Sequence, residues 1–343
     1  MNFGSLDLHT TWFILIGVLF TGYAMLDGFD LGVGALHLFA KKDEDRRILL
    51  NTIGPVWDGN EVWLVTGGGA LFAAFPYVYA TVFSGFYLAF ILLLVALIFR
   101  AVAIEFRSKQ PMRWWRQLWD VGFAAGSILS SLLIGIAMGN IAWGIPLDVH
   151  GEFAGTFVGL LHPYALLLGV TTLALFMMHG AIYMVMKTAG ELHDQIRGWI
   201  KNCMIFFIVC YAITTMATLL YVPHMAERVR THPWLFGVVL VVILAIANIP
   251  REIHRGRDGR AFISSCLTMA ALMALFGLEM YPHLVFSNPD PAHSLTIHNA
   301  ASSPKTLGIM LTIALIGIPI VLTYTISIYW IFRGKVKLDK TSY

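Results

Sequence analysis

The sequence predicts an all-α polytopic membrane protein of nine transmembrane helices, with its N-terminus outside. Three observations carry this prediction. The 343 residues are 58% hydrophobic and only 13% charged, with a mean hydropathy of +0.73, whereas a soluble domain carries about 25% charged residues. Apolar stretches of about 20 residues, the length a bilayer-crossing helix needs, recur along the chain. The basic residues between them fall almost entirely on alternate loops, as the positive-inside rule requires of a multi-pass protein.

The stretches lie at about 11–38, 54–78, 80–106, 117–142, 159–187, 200–222, 233–250, 260–284 and 306–332. The first is long enough to tilt or to extend past the bilayer. Lys41, Lys42, Arg46 and Arg47 follow it, and Arg107, Lys109, Arg113 and Arg116 follow the third. Lys187, Arg197 and Lys201 flank the loop after the fifth, and Arg251, Arg255, Arg257 and Arg260 follow the seventh. Arg333, Lys335, Lys337 and Lys340 end the chain. Of the 23 basic residues, only Arg228, Arg230 and Lys305 lie on the opposite side, and Arg100 lies within a helix. The basic side is therefore expected to be cytoplasmic, which places the C-terminus inside and requires an odd number of spans.

The whole chain, 1–343, reads as one integral membrane domain. Asp27-Gly28 in helix one is echoed by His179-Gly180 in helix five, each followed by further glycines and mixed charge. This suggests two parallel four-helix units, about 11–142 and 159–284, with a peripheral ninth helix at about 306–332. The segment from Pro282 to Lys305 is expected to be an irregular outer loop, too short for a catalytic domain. No cleavable leader is expected, because a basic n-region is lacking and the first apolar run is too long. Cys203, Cys210 and Cys266 have no metal-type spacing and are expected as small core residues.

Charged residues in apolar stretches are costly and therefore informative. Trp57-Asp58-Gly59-Asn60-Glu61-Val62-Trp63 sets two acids one helical turn apart between two indoles. Asp27 and Asp30 lie toward the basic end of helix one, Arg100 and Glu105 at that end of helix three, and Asp120 at the start of helix four. These seven charges are expected to converge at one membrane depth. One arginine cannot neutralise six carboxylates, so some must be protonated, paired elsewhere or wetted. Such a cluster suits a proton entry route; it equally suits ionic pairing that fixes helix packing, and Asp120 could simply complement a helix N-terminus. His162 and His179 are the histidines inside spans, and satisfied packing is expected for both, with Tyr183 one turn from His179 as a hydrogen-bond partner. The methionines Met177, Met178, Met184 and Met186 are expected as core or lipid-facing filler. The glycines Gly32, Gly34, Gly67, Gly68, Gly69, Gly122 and Gly126 are expected at close helix contacts. No phosphate loop, nucleophile triad, zinc motif or nucleic-acid patch is present.

Asp27-Gly28-Phe29-Asp30-Leu31-Gly32-Val33-Gly34, Trp57 to Leu64, and Gly69 to Pro76 together resemble the motifs of subunit II of bacterial cytochrome bd-type quinol oxidases. Arg100, Glu105-Phe106-Arg107, Trp119-Asp120 and Gly190-Glu191-Leu192-His193 continue the resemblance, and Glu61-Val62-Trp63-Leu64 is similar to the cyanide-insensitive branch. The resemblance implies a respiratory terminal oxidase of the bacterial inner membrane that oxidises quinol and reduces oxygen to water. It implies that haem b and haem d belong to a partner, subunit I, and that this chain supports assembly, haem retention and proton entry. By resemblance Asp58, with Glu61, is the proton-route acid. Asp27, Asp30, Arg100, Glu105 and Asp120 are by resemblance interface or haem-environment charges, and Trp57 and Trp63 are the aromatic flank of the Asp58 and Glu61 pair. The resemblance leaves room for a bound structural quinone or lipid and for a small single-helix accessory subunit. Two other readings of the residues are an ion-coupled secondary transporter, with helix one broken at its glycines, and a purely structural scaffold.

Overall fold

The computed structural model describes residues 7–338, so Lys340 of the basic tail lies outside the described residues. Among these the chain forms twelve α-helices: α1 Leu8–Leu36, α2 Asp43–Ile53, α3 Trp57–Ala74, α4 Pro76–Gly85, α5 Tyr87–Phe106, α6 Arg113–Trp143, α7 Pro163–Lys187, α8 Gly190–Tyr221, α9 Glu227–Thr231, α10 Phe236–His254, α11 Asp258–Met280 and α12 Pro304–Ile331. Eight of them, α1, α5 to α8 and α10 to α12, are long and apolar enough to cross a membrane. The remaining stretch expected to span, 54–78, corresponds to the 18-residue α3, whose first turns carry Asp58 and Glu61.

Helix boundaries follow local chemistry. Asp7 caps α1 by accepting the His9 N–H at 3.1 Å, His162 caps α7, and Ser303 caps α12; each satisfies a donor that the helix start leaves free. Pro76 has no N–H and disfavours helical geometry in the residue before it. Phe75 leaves the helical region accordingly, and α3 ends at Ala74 rather than continuing to 78. A second break at Phe86 divides the expected third span into α4 and α5. α8 begins ten residues before the apolar run because Leu192, Ile196, Ile200 and Cys203 form a buried stripe at helical spacing. The first basic loop holds a helix that hydropathy does not reveal. α2 opens on Asp43, Glu44 and Asp45, which suit the positive end of its dipole, and buries Leu49, Leu50 and Ile53.

The interior falls into two main clusters. One surrounds Phe29, Val33, Leu49, Ile53, Ile182 and Met184 near the basic end; the other gathers Trp12, Ile16, Phe75, Val285 and Leu307 at the opposite end. α1 runs through both. Its lower half, Asp27 to Leu36, is buried at every residue. α1 crosses α7 at Gly32 and Gly180: a Cβ at Gly180 would lie 2.6 Å from the Gly32 backbone, and one at Gly28 would lie 2.8 Å from the Phe176 ring. Gly34 faces Ser127 and Gly126 faces the Ala96 carbonyl, whereas Gly68 and Gly69 meet no other part of this chain among the described residues. The long outer loop is more ordered than expected. His283–Val285 pairs antiparallel with Leu295–Thr296, and Ile145 binds Phe286 and Asn288 through backbone hydrogen bonds of 3.0 Å each.

Candidate functional site

The buried half of α1 presents Asp27 and Asp30 one turn apart. α5 brings Arg100 to them at the end of its apolar run, and α3 brings Asn60 and Glu61. Arg100 Nη2 donates to Asp27 Oδ1 at 2.6 Å and lies 3.8 Å from Asp30 Oδ2, while Nη1 lies 3.5 Å from Glu61 Oε2. The Arg100, Asp27 and Asp30 side chains are fully buried, and that of Glu61 is 20% exposed. Asp30 Oδ2 accepts its hydrogen bond from Asn60 Nδ2 at 2.8 Å rather than from the arginine. Tyr329 of α12 donates to Asn60 Oδ1 at 2.8 Å. Three carboxyl groups thus share one guanidinium, and each remaining contact is from a neutral donor. Asp27 Oδ2, Asp30 Oδ1 and the Tyr23 hydroxyl are buried without a hydrogen-bond partner among the described residues.

A second network occupies the basic end. Asp120 accepts from His37 Nε2 at 2.6 Å, from Arg46 Nη1 at 2.9 Å, and from Arg107 Nε and Nη2. Arg107 also reaches Asp43 at 2.7 Å, and Arg116 reaches Asp43 at 2.8 Å. The expected single cluster of seven charges is therefore two networks with two outliers. Asp120 has its own bases because α2 and the turn after α5 bring Arg46 and Arg107 beside the start of α6. The expectation that one arginine faces six acids does not hold.

The outliers are Asp58 and Glu105. Asp58 is exposed at the first turn of α3, and Glu105 is half-buried; neither makes a hydrogen bond or ion pair among the described residues. Asp58 and Glu61 share a helix but not an environment. Trp57 packs against the basic-end core, and the Trp63 indole lies over Gly22 of α1. Both indoles thus wedge α3 against its neighbours. Asn60, Tyr329, His37, Arg46 and Arg107 complete the two networks, and sequence reasoning assigned none of them a role there. Arg46 enters the sequence reading as a topology signal alone, and Arg107 as a topology signal and the end of the Glu105-Phe106-Arg107 motif. Asn60 lay inside the quoted motif, and its central position between two acids was the available signal.

Of the two histidines singled out in the sequence, His179 has both ring nitrogens engaged, whereas His162 Nε2 is buried without a hydrogen-bond partner among the described residues. The His179 ring is fully buried between the Ser265 hydroxyl at 2.7 Å and the Met25 carbonyl at 2.9 Å. Satisfied packing holds for it, but Tyr183 is not its partner: that hydroxyl donates to the Thr52 carbonyl at 3.2 Å. His162 is not inside a span; it caps α7, accepting the Ala165 N–H. Among the described residues no group of three or more His, Cys, Asp or Glu could hold a metal ion.

Residues 8–332 match the family model described as cytochrome bd terminal oxidase subunit II. The chain is 38% identical to cytochrome bd-I ubiquinol oxidase subunit 2 of Escherichia coli (strain K12), over 96% of this chain and 95% of that one. It is 34% identical to cytochrome bd ubiquinol oxidase subunit 2 of Bacillus subtilis (strain 168), over 96% and 97%. The fold superposes on a chain of the bd oxidase from Geobacillus thermodenitrificans with a TM-score of 0.79, covering 96% and 98%, at 15% identity. These relatives do not favour the transporter or bare-scaffold readings. The chain belongs to the subunit II family of cytochrome bd terminal oxidases, and so to a multi-pass, haem-containing quinol:oxygen oxidoreductase complex of the bacterial inner membrane.

Proposed function

We propose that this chain is the non-haem-ligating half of the oxidase and that it admits protons from the cytoplasmic side toward oxygen reduction in subunit I. Haem b and haem d then belong to subunit I, as do the groups that ligate them. The engaged nitrogens of His179 agree with that division. The basic end is taken as cytoplasmic, with the N-terminus outside, because the alternation of basic loops calls for it.

The observation that carries the reading is a gradient of burial among acids. Asp58 is exposed and unpaired at the mouth of α3. One turn deeper, Glu61 is 20% exposed and 3.5 Å from Arg100. Beyond it, Asp27 and Asp30 are sealed from solvent. A carboxyl at the surface exchanges with water freely. A half-buried one beside a cation can take either protonation state at modest cost, and a sealed pair holds charge only against its arginine. Asp120, tied to Arg46 and Arg107, is instead structural in this account, and Glu105 has no assigned partner. A structural quinone, a lipid or a small accessory helix would find exposed apolar surface on α3, α5 and α12.

The test is Asp58→Asn in the assembled two-subunit enzyme. Oxygen consumption should fall severalfold while the haem spectrum and subunit ratio stay native. Loss of haem in step with turnover would assign Asp58 to assembly instead.

A further inference from the structure

We infer that Tyr329, on the last helix, is a positioning residue for the buried acids: it anchors the Asn60 amide, which the Leu26 carbonyl orients, so that its N–H stays against Asp30. This rests on the proposed proton route. Asn60 has two amide hydrogens and one carbonyl oxygen. Nδ2 lies 2.8 Å from Asp30 Oδ2 and 3.2 Å from the Leu26 carbonyl, so both hydrogens are committed. Oδ1 is left to accept, and the Tyr329 hydroxyl supplies the donor at 2.8 Å. The amide is 2% exposed, so water does not compete for these places.

The orientation matters because Asp30 is otherwise poorly held. Its oxygen lies 3.8 Å from Arg100, beyond hydrogen-bond range, and its other oxygen is unpartnered. An N–H facing a carboxyl group favours the carboxylate; a carbonyl oxygen facing it favours the acid, which can donate. Without the phenol O–H, the buried Asn60 Oδ1 loses its donor, and the amide is freed to shift away from Asp30. The titratable and charged groups facing Asp30 are Asp27 on α1, Glu61 on α3, Arg100 on α5, Tyr183 on α7 and Tyr329 on α12. None but Tyr329 is bonded to Asn60. The contact also gives the peripheral helix a task. Most of α12 faces outward, with Ile313, Ile320 and Ile326 about two-thirds exposed, yet Tyr329 turns inward, edge-on to Phe29.

The experiment is Tyr329→Phe in the complete oxidase, which keeps the ring and removes one oxygen. Expected are native haem content and subunit ratio, oxygen consumption lowered by about threefold or more, and a displaced pH profile of turnover. In an Asn60→Ala background the same substitution should have no further effect, because it acts through the amide. Unchanged turnover and pH profile, full additivity with Asn60→Ala, or haem loss in proportion to turnover would each overturn the inference. If Asp58→Asn and Glu61→Gln slow turnover while Tyr329→Phe does not, only this inference fails. If none of the three slows it, the proton reading fails as well.

Discussion

At the scale of single residues, the energetics turn on Arg100. It is the only base within reach of Asp27, Asp30 and Glu61 among the described residues, and all its polar atoms lie inside the protein. Removing one member of a buried ion pair typically costs about 3–5 kcal/mol, because the partner is left charged and unsolvated. Arg100→Leu strands two sealed carboxylates, so membranes should contain much less assembled oxidase, measured as haem absorbance per membrane protein. Arg100→Lys should be intermediate. It keeps the charge but lacks the fork that serves Asp27 and Glu61 with separate nitrogens. Arg100, Asp27 and Asp30 were legible in the sequence, because charges inside apolar runs are expensive and need a reason. Asn60 and Tyr329 were not. Both are neutral, common polar residues, and their contact joins positions 269 apart in the chain.

At the scale of elements, close helix approach and one outer loop carry the predictions. Gly180 meets the Gly32 backbone, so Gly180→Leu must push α1 away from α7 and disturb the site above the crossing. The thermal midpoint and haem retention of the complex should both drop, whereas Gly68→Ala, at a position that meets no other part of this chain among the described residues, should change neither. In the turn between α8 and α9, His224 donates from Nε2 to the Ala142 carbonyl at 2.8 Å and stacks on Phe286 of the long outer loop at 4.2 Å. Burial depresses its pKa below the ordinary imidazole value. The unfolded chain therefore takes up a proton first as pH falls through about 6.5, and the folded chain resists. The neutral imidazole's contribution is present above that pH and is lost as pH falls toward the folded value. Melting of the purified complex between pH 7.5 and 5 should show this loss, and His224→Gln should flatten it. Element boundaries were only partly legible. The Pro76 break was written in the sequence, yet hydropathy averaging ran across it. α2 was hidden because a short amphipathic helix rich in acids looks like a loop on any hydropathy scale.

At the scale of the whole molecule, the recurring apolar runs made the multi-pass all-α class legible, because the bilayer imposes one length on each span. What the chain presses against is not written in that pattern. Val65 and Phe72 on α3 and Leu94 and Phe99 on α5 are more than half exposed, and lipid and a partner helix are equally apolar. The division of labour nevertheless has a direct consequence. Expressed without subunit I, this chain should purify without haem absorbance, and with it the pair should carry the haem spectrum. Haem bound to the isolated chain would reassign the cofactor sites.

The central claim is that Asp58 and Glu61 admit protons for oxygen reduction in the neighbouring subunit. It is tested most directly by oxygen consumption of the reconstituted two-subunit oxidase carrying both Asp58→Asn and Glu61→Gln, normalised to its haem content. The account predicts turnover lowered by at least about tenfold per haem, in the range expected when a proton-transferring group is lost, with an unaltered haem spectrum. Native turnover per haem would contradict it.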